Sequence, residues 1–281
     1  MTAPCGADFE IAYAKINLAL HVRRRRKDGY HELETLFAFA EDGDRLEVEA
    51  SDALTLTIDG PFAIGLDAGT ENLVLRAAEG LRALTGVTRG AALRLTKSLP
   101  VAAGIGGGSA DAAAALRLLM RHWDCKVAEA DLHEFAASLG ADVPACLESR
   151  TCVGLGIGDQ LEPFSAPDLA GLPLLLINPR VPCPTGPVFK AWDGKDRGAL
   201  DPAHWRTARN DLQAPALLLV PEIGMVLEIL TEQEGVRIVR MSGSGATCFA
   251  TFKSAEQRDN AAHRLTGAYP QWWVLASELR E

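Results

Sequence analysis

The stretch P-V-A-A-G-I-G-G-G-S-A-D-A-A-A-A, Pro100 to Ala115, decides how the rest of this chain is read. Between positions 104 and 108 only Ile105 is not glycine. Glycine lets the backbone take φ > 0 and lets a ligand come close. The alanine-rich run that follows favours a helix. Upstream, Ala91 to Lys97 carries Leu93 and Leu95 at alternate positions and predicts a strand. Strand, glycine-rich loop, helix is the order of a polyphosphate cradle, because a helix start offers unpaired N–H groups and partial positive charge. Better-known loops do not fit. No Lys follows the glycines as G-x-x-x-x-G-K-[ST] requires, and Ser109 stands where G-x-G-x-x-G needs its third glycine. The V-A-I-K and H-R-D motifs of protein kinases are absent. A dinucleotide-dependent oxidoreductase is disfavoured on the same spacing.

Around this loop, 281 residues allow one large domain or two of ordinary size. An apolar content of 48% is enough for a sizeable core. A net charge of −9 argues against a surface that coats nucleic acid, which needs basic side chains to neutralise phosphates. The six cysteines (Cys5, Cys125, Cys146, Cys152, Cys183 and Cys248) show neither C-x-x-C nor zinc-ligand spacing. They are expected to be thiols in a reducing cytoplasm. With no signal-like start and no apolar run of transmembrane length, no membrane partner is expected either.

Phe9 to Val22 alternates, so Lys15 and Asn17 are expected to project from one face of a strand. Arg23 to Asp28 predicts a charged turn. The alternating runs at Leu46 to Ala50 and Leu54 to Ile58, around Ser51-Asp52, predict a hairpin. Helices are expected over Asn72 to Leu84, Ala130 to Leu139 with Gly140 as its stop, and Asp211 to Glu228 with interruptions at Pro215 and Pro221. Gly154 to Gly158 reads as a structural turn. Leu172 to Ile177, Val236 to Met241 and Thr247 to Phe252 read as strands. The order suggests an α+β chain of two lobes, divided near residues 150–160.

Several side chains carry two readings each. Lys15 is either a charge beside a reacting group or a Lys on a solvated sheet face. Asp142, in Gly140-Ala-Asp-Val-Pro144, is either a general base or a helix cap. Tyr30 and His31, in Asp28-Gly-Tyr-His-Glu-Leu33, are either a ring-stacking pair or a turn with an aromatic anchor. Ser242-Gly-Ser-Gly245 is either a plain turn or a partner of the phosphate loop. His122 and Cys125 lie one helical turn apart without further ligands, so no metal site is assigned to them.

Together, the loop at Pro100 to Ala113 and Met241-Ser-Gly-Ser-Gly-Ala-Thr-Cys-Phe249 resemble the second and third motifs of the GHMP small-molecule kinases. Ala14-Lys-Ile-Asn-Leu18, Gly43-Asp44, Asn210-Asp-Leu212 and the Asp28 and Gly140 elements extend the resemblance over nearly the whole chain. It implies an α+β, two-lobed GHMP-kinase-like fold with the nucleotide and substrate site in the cleft between lobes. The implied division is an ATP-binding domain over 1–152 and a second domain over 153–281 that completes the substrate site. It further implies an ATP-dependent kinase using Mg²⁺, acting on a hydroxyl of a diphosphocytidyl-linked small molecule of isoprenoid precursor synthesis, with no obligate protein partner. On the same ground Lys15 and Asp142 are the catalytic pair. The nucleotide falls to Pro100, Val101, Ala102, Ala103, Gly104, Ile105, Gly106, Gly107, Gly108, Ser109 and Ala110, with Lys97 and Asn72 on the adenine side. Ser109 is the implied metal contact. Asn17, Tyr30, His31, Thr185 and Phe189 are the implied substrate contacts. The chain departs from the family pattern at Ser109-Ala110-Asp111, where Gly-Ser-Ser is commoner, so one hydroxyl is missing. Two other readings compete: a kinase of the same superfamily acting on homoserine or a mevalonate derivative, and an ATP-binding sensor without chemistry.

Overall fold

The computed structural model describes residues 8–165 and 167–281. Cys5 lies outside them. The chain forms two compact units, each assembled from separate segments. The first takes the described chain up to Ala14, Asp42–Val101 and Gly107–Glu148; the second takes Lys15–Glu41, Ala102–Gly106 and Ser149–Glu281. The units are therefore cut differently from the single division at 152/153 expected from sequence. The reason lies in two long strands, β1 (Asp8–Arg25) and β2 (His31–Glu49), which each contribute residues to both units.

In the first unit, Arg45–Glu49 of β2 pair antiparallel with β4 (Ala91–Thr96), and β4 pairs parallel with β3 (Leu54–Asp59). The hairpin expected around Ser51-Asp52 does not form, because β4 sits between the two runs. Parallel neighbours need a crossover, usually a helix, and α1 (Leu73–Thr85) supplies it. Asn72 caps α1, its side chain accepting from the Val74 N–H at 2.9 Å, and Gly86 ends the helix at φ 72°. α1 packs on α2 (Gly107–His122), whose Ala110 and Ala112 to Ala115 are all buried. α3 (Glu129–Leu139) stops at Gly140 as expected, and α4 (Val143–Glu148) packs against α2 and α3. Gly43 is required where β1 and β2 meet: a Cβ there would lie 1.9 Å from the Ala12 carbonyl oxygen.

In the second unit, Leu33–Phe37 of β2 pair with β5 (Cys152–Gly156), which pairs with β6 (Gln160–Pro163). Gly154 and Gly156 therefore belong to a strand, and the expected turn narrows to the residues between Gly156 and Gln160. A second sheet runs β10 (Trp273–Glu278), β7 (Pro173–Asn178), β9 (Cys248–Phe252), β8 (Val236–Met241), all antiparallel. The Pro-rich segment contains α5 (Thr185–Ala191). α6 (Gln213–Leu219) and α7 (Glu222–Thr231) break at Val220-Pro221, as Pro221 predicts, whereas Pro215 lies in the first turn of α6, where a proline is tolerated, and does not interrupt it. Leu175 and Ile177 of β7 and Phe252 of β9 form a core with Ile223 and Val226 of α7. Ala261 and Leu265 of α8 (Ala255–Ala268) join it. Among the described residues no helix is long and apolar enough to cross a membrane.

Candidate active site

In the second unit, β1 brings Lys15 and Asn17 to one face, as alternation predicts. Both are only 3% exposed, which removes the solvated-face reading for Lys15. The Lys15 ammonium donates to Asn17 Oδ1 at 3.0 Å and stands 5.1 Å from the Phe37 ring centre. Asn17 Nδ2 donates to Thr35 Oγ1 at 2.8 Å, and that hydroxyl donates to the Ala19 carbonyl at 2.7 Å. Both polar atoms of the Asn17 side chain are thus directed, and Lys15 with them.

The Ser242 to Gly245 turn meets the Ala102 to Gly106 part of the glycine-rich loop. Ser242 Oγ accepts from the Asn17 N–H at 3.1 Å and donates to the Gly104 carbonyl at 2.9 Å. Backbone bonds add Lys15 N–H to Ile105 O at 3.0 Å and Thr247 N–H to Ala103 O at 3.1 Å. Gly104 has φ 76°, and a Cβ there would lie 2.6 Å from the Ser242 carbonyl oxygen, so nothing larger than glycine fits. The Asn210 amide donates to the carbonyls of Met241 and Gly243, both at 2.8 Å, and fixes the turn from behind. Ser242-Gly-Ser-Gly245 is therefore a partner of the loop and not a plain hairpin turn. Thr185, at the start of α5, is hydrogen-bonded through its hydroxyl to Ser244 Oγ at 2.9 Å.

An aromatic cluster lies in the same unit. The His31 ring sits over Phe189 with centroids 4.9 Å apart and edge-on to Trp192 at 5.7 Å. Tyr30, the preceding residue, is 60% exposed. Burial first, and then the Arg25 charge, lower the His31 pKa and keep its imidazole neutral near pH 7. His31 Nε2 and Trp192 Nε1 are buried with no hydrogen-bond partner among the described residues.

The first unit holds the remaining predicted residues. Gly107, Gly108 and Ser109 form the first turn of α2, with Ser109 half-buried; the N–H groups of a helix's first turn have no partner within the helix. Asp142 is half-buried just before α4, and its carbonyl accepts from the Cys146 N–H at 3.0 Å. The two other expected nucleotide contacts have committed side chains. Asn72 caps α1 and also donates to the Asp67 carbonyl at 2.7 Å. The Lys97 ammonium lies between Asp44 Oδ2 at 2.5 Å and Asp111 Oδ2 at 2.6 Å, with all three side chains buried. Burial opposes the ammonium, but the Asp111 and Asp44 charges outweigh it and raise the Lys97 pKa. Burial pushes Asp111 up to about 8, against the pull of Lys97. Sequence reasoning gave no role to Asp44, Asp111, Asn210 or Trp192. Gly43-Asp44 and Asn210-Asp211 were visible as motifs, but their partners lie far along the chain.

A glycine-rich loop opening into a helix, with a buried Lys–Asn pair on the adjoining strand, defines a small-molecule phosphotransferase. Residues 72–150 match the GHMP kinases N terminal domain and residues 193–271 the GHMP kinases C terminal domain. The chain belongs to the GHMP kinase family and is an ATP-dependent kinase. Among its relatives, the 4-diphosphocytidyl-2-C-methyl-D-erythritol kinase of Rhizorhabdus wittichii is 57% identical over 277 residues, covering 96% of this chain and 94% of the relative. The protein of the same name from Novosphingobium aromaticivorans is 55% identical over 275 residues, covering 96% and 92%. A crystal structure of 4-(cytidine 5'-diphospho)-2C-methyl-D-erythritol kinase superposes with a TM-score of 0.82 at 36% identity, covering 97% of this chain and 99% of that one. The mevalonate kinase of Methanococcus jannaschii shares the fold, with a TM-score of 0.71 at 8% identity over 99% of this chain and all (100%) of that one.

Proposed function

We propose that this chain transfers the γ-phosphoryl group of ATP to the 2-hydroxyl of 4-diphosphocytidyl-2-C-methyl-D-erythritol, in non-mevalonate isoprenoid precursor synthesis. One observation carries the choice of acceptor. The neutral His31 ring packs at a 36° tilt against Phe189 and edge-on to Trp192, next to the exposed Tyr30 in the chain. An exposed tyrosine ring beside a cluster of aromatic side chains suits a planar pyrimidine base. The names of the relatives agree with that chemistry. In this reading Tyr30, His31 and Phe189 hold the cytosine, Thr185 closes the same pocket, and Asn17 contacts the substrate.

Phosphoryl transfer depends mainly on alignment and on stabilising charge. The N–H groups of Gly104 to Gly108 and of the first turn of α2 hold the phosphates, with Asn72 on the adenine side. Asp142 accepts the proton of the attacking hydroxyl. Lys15, oriented by Asn17 at 3.0 Å, offsets charge on the transferring group. Mg²⁺ favours oxygen ligands and phosphates. Ser109, half-buried in the first turn of α2, fits as a single oxygen donor, and the ion when bound neutralises phosphate charge. The functional division at 152/153, with the nucleotide on the earlier part and the substrate site completed by the later part, belongs to the same reading. So does a cytoplasmic location with small molecules as partners.

The test is ADP release with ATP, Mg²⁺ and a panel of acceptors: the diphosphocytidyl compound, free methylerythritol phosphate, homoserine and mevalonate. Turnover with the cytidyl compound alone supports the proposal, and turnover with homoserine or mevalonate replaces it. ATP binding without any turnover moves the chain to the sensor reading. Asp142→Asn is expected to lower kcat by about 10²–10⁴-fold while ATP binding persists. Near-normal turnover in that variant removes Asp142 as the base.

A further inference from the structure

The buried Asp44–Lys97–Asp111 cluster lies directly under the first turn of α2. A Cβ on Gly107 would sit 3.2 Å from the Lys97 ammonium nitrogen. Asp44 uses both oxygens: Oδ2 takes Lys97 at 2.5 Å, while Oδ1 accepts the Ser98 and Leu99 N–H groups at 2.6 and 2.8 Å. Asp111, one turn into α2, takes Lys97 at 2.6 Å. The chain is thus gripped where it runs toward the glycine-rich loop, at Lys97 to Leu99, and again where it leaves, at Gly107 to Asp111.

The charge balance rules out an electrostatic purpose. If Lys97 served to attract phosphate, its one positive charge would not be surrounded by two carboxylates. With both ionised the cluster is net negative, and with one protonated it is neutral. In neither state does it draw an anion. Its side chains are at most 6% exposed, so water does not loosen it. What remains is geometry. Two short charge-assisted bonds to one ammonium fix the spacing between the loop's two ends far more tightly than a contact between apolar side chains.

We propose that Lys97, Asp44 and Asp111 are positioning residues for the phosphate loop, and that the Lys97 ammonium acts on the nucleotide through the loop and not by touching it. This rests on the kinase reading for the identity of the ligand, but not on the choice of acceptor.

The experiment measures Kd for ATP with Mg²⁺ by calorimetry, without acceptor, and Kd for cytidine diphosphate as a control on the cytidyl side. Failure of the acceptor panel therefore leaves this test intact. Lys97→Met strands two carboxylates. It is expected to weaken ATP binding at least tenfold and cytidine diphosphate less than twofold. The decisive variant is Lys97→Met combined with Asp44→Asn and Asp111→Asn, which removes the stranded charges. The ATP defect is expected to persist at fivefold or more, because the bonds that hold the two ends of the loop are gone as well as the charges. If the triple variant recovers ATP binding to within about threefold of the unaltered protein, only the stranded charges did harm and the proposal is overturned. Asp111→Leu separates positioning from direct contact: it keeps the ammonium in a neutral Lys97–Asp44 pair and cuts only the link to α2. Here the proposal expects ATP binding at least fivefold weaker, with cytidine diphosphate unchanged. Unchanged or tighter ATP binding would overturn it, since a contacting Lys97 would have been freed.

Discussion

The glycine-rich stretch is held by different chemistry on its two sides. Gly107 onward rests in the first unit on a buried ion cluster, where one ammonium serves two carboxylates. Ala102 to Gly106 are held in the second unit by neutral bonds, from Ser242 Oγ, the Lys15 N–H and the Thr247 N–H. The contrast separates two ways of fixing a backbone. A buried charged cluster is rigid but unforgiving, because removing one member leaves another charge without compensation. A neutral network gives way gradually, one bond at a time.

Asp44→Ala should be the most damaging change to stability. It strips the ammonium of a partner and leaves the Ser98 and Leu99 N–H groups unmet. The expected loss is about 3–5 kcal/mol in denaturant unfolding, and a loss below about 1 kcal/mol would place the cluster with weak surface pairs. Gly104→Ala attacks the neutral side by crowding. With φ 76° and the Ser242 oxygen 2.6 Å from the new Cβ, the expected cost is ~1–3 kcal/mol. Its ATP affinity should fall together with stability, which a binding isotherm checks. Ser242→Ala removes one hydroxyl that both donates and accepts, for an expected ~1–2 kcal/mol. A cost as large as that of Asp44→Ala would erase the distinction between the two sides.

The smallest expected effect concerns acid. His21, on the same strand as Lys15, is held below its ordinary pKa, first by burial and then by the Arg209 charge. The unfolded chain therefore binds the proton first as pH falls. The contribution of His21 is complete above about pH 6.5 and is lost progressively below it. His21→Gln should flatten the decline of melting temperature as pH falls below about 6.5. An unchanged slope would assign that decline to other groups.

Much of this was legible in the chain itself. The strand, loop and helix around Pro100 to Ala115 appear as read, because glycine and alanine preferences act locally. Lys15 and Asn17 share a face because the strand period is two. The hairpin around Ser51-Asp52 failed for a non-local reason: β4, far along the chain, pairs between the two runs. The ion cluster was hidden for the same reason. Asp44 and Lys97 are 53 positions apart, and nothing in either neighbourhood announces the other. The resemblance puts Lys97 on the adenine side, and the structure pairs its ammonium with Asp44 and Asp111.

The interleaving of the two units has a consequence during synthesis. Residues 15–41 leave the ribosome roughly 100 residues ahead of Ser149, where the later part of their unit begins. At about 5–20 residues per second, the β2 edge that will receive β5 waits on the order of 5–20 seconds without its partner. An unpaired edge that also carries the apolar Leu33, Leu36 and Phe37 is a template for pairing with other chains. For this molecule the hazardous interval falls while the chain is still being made.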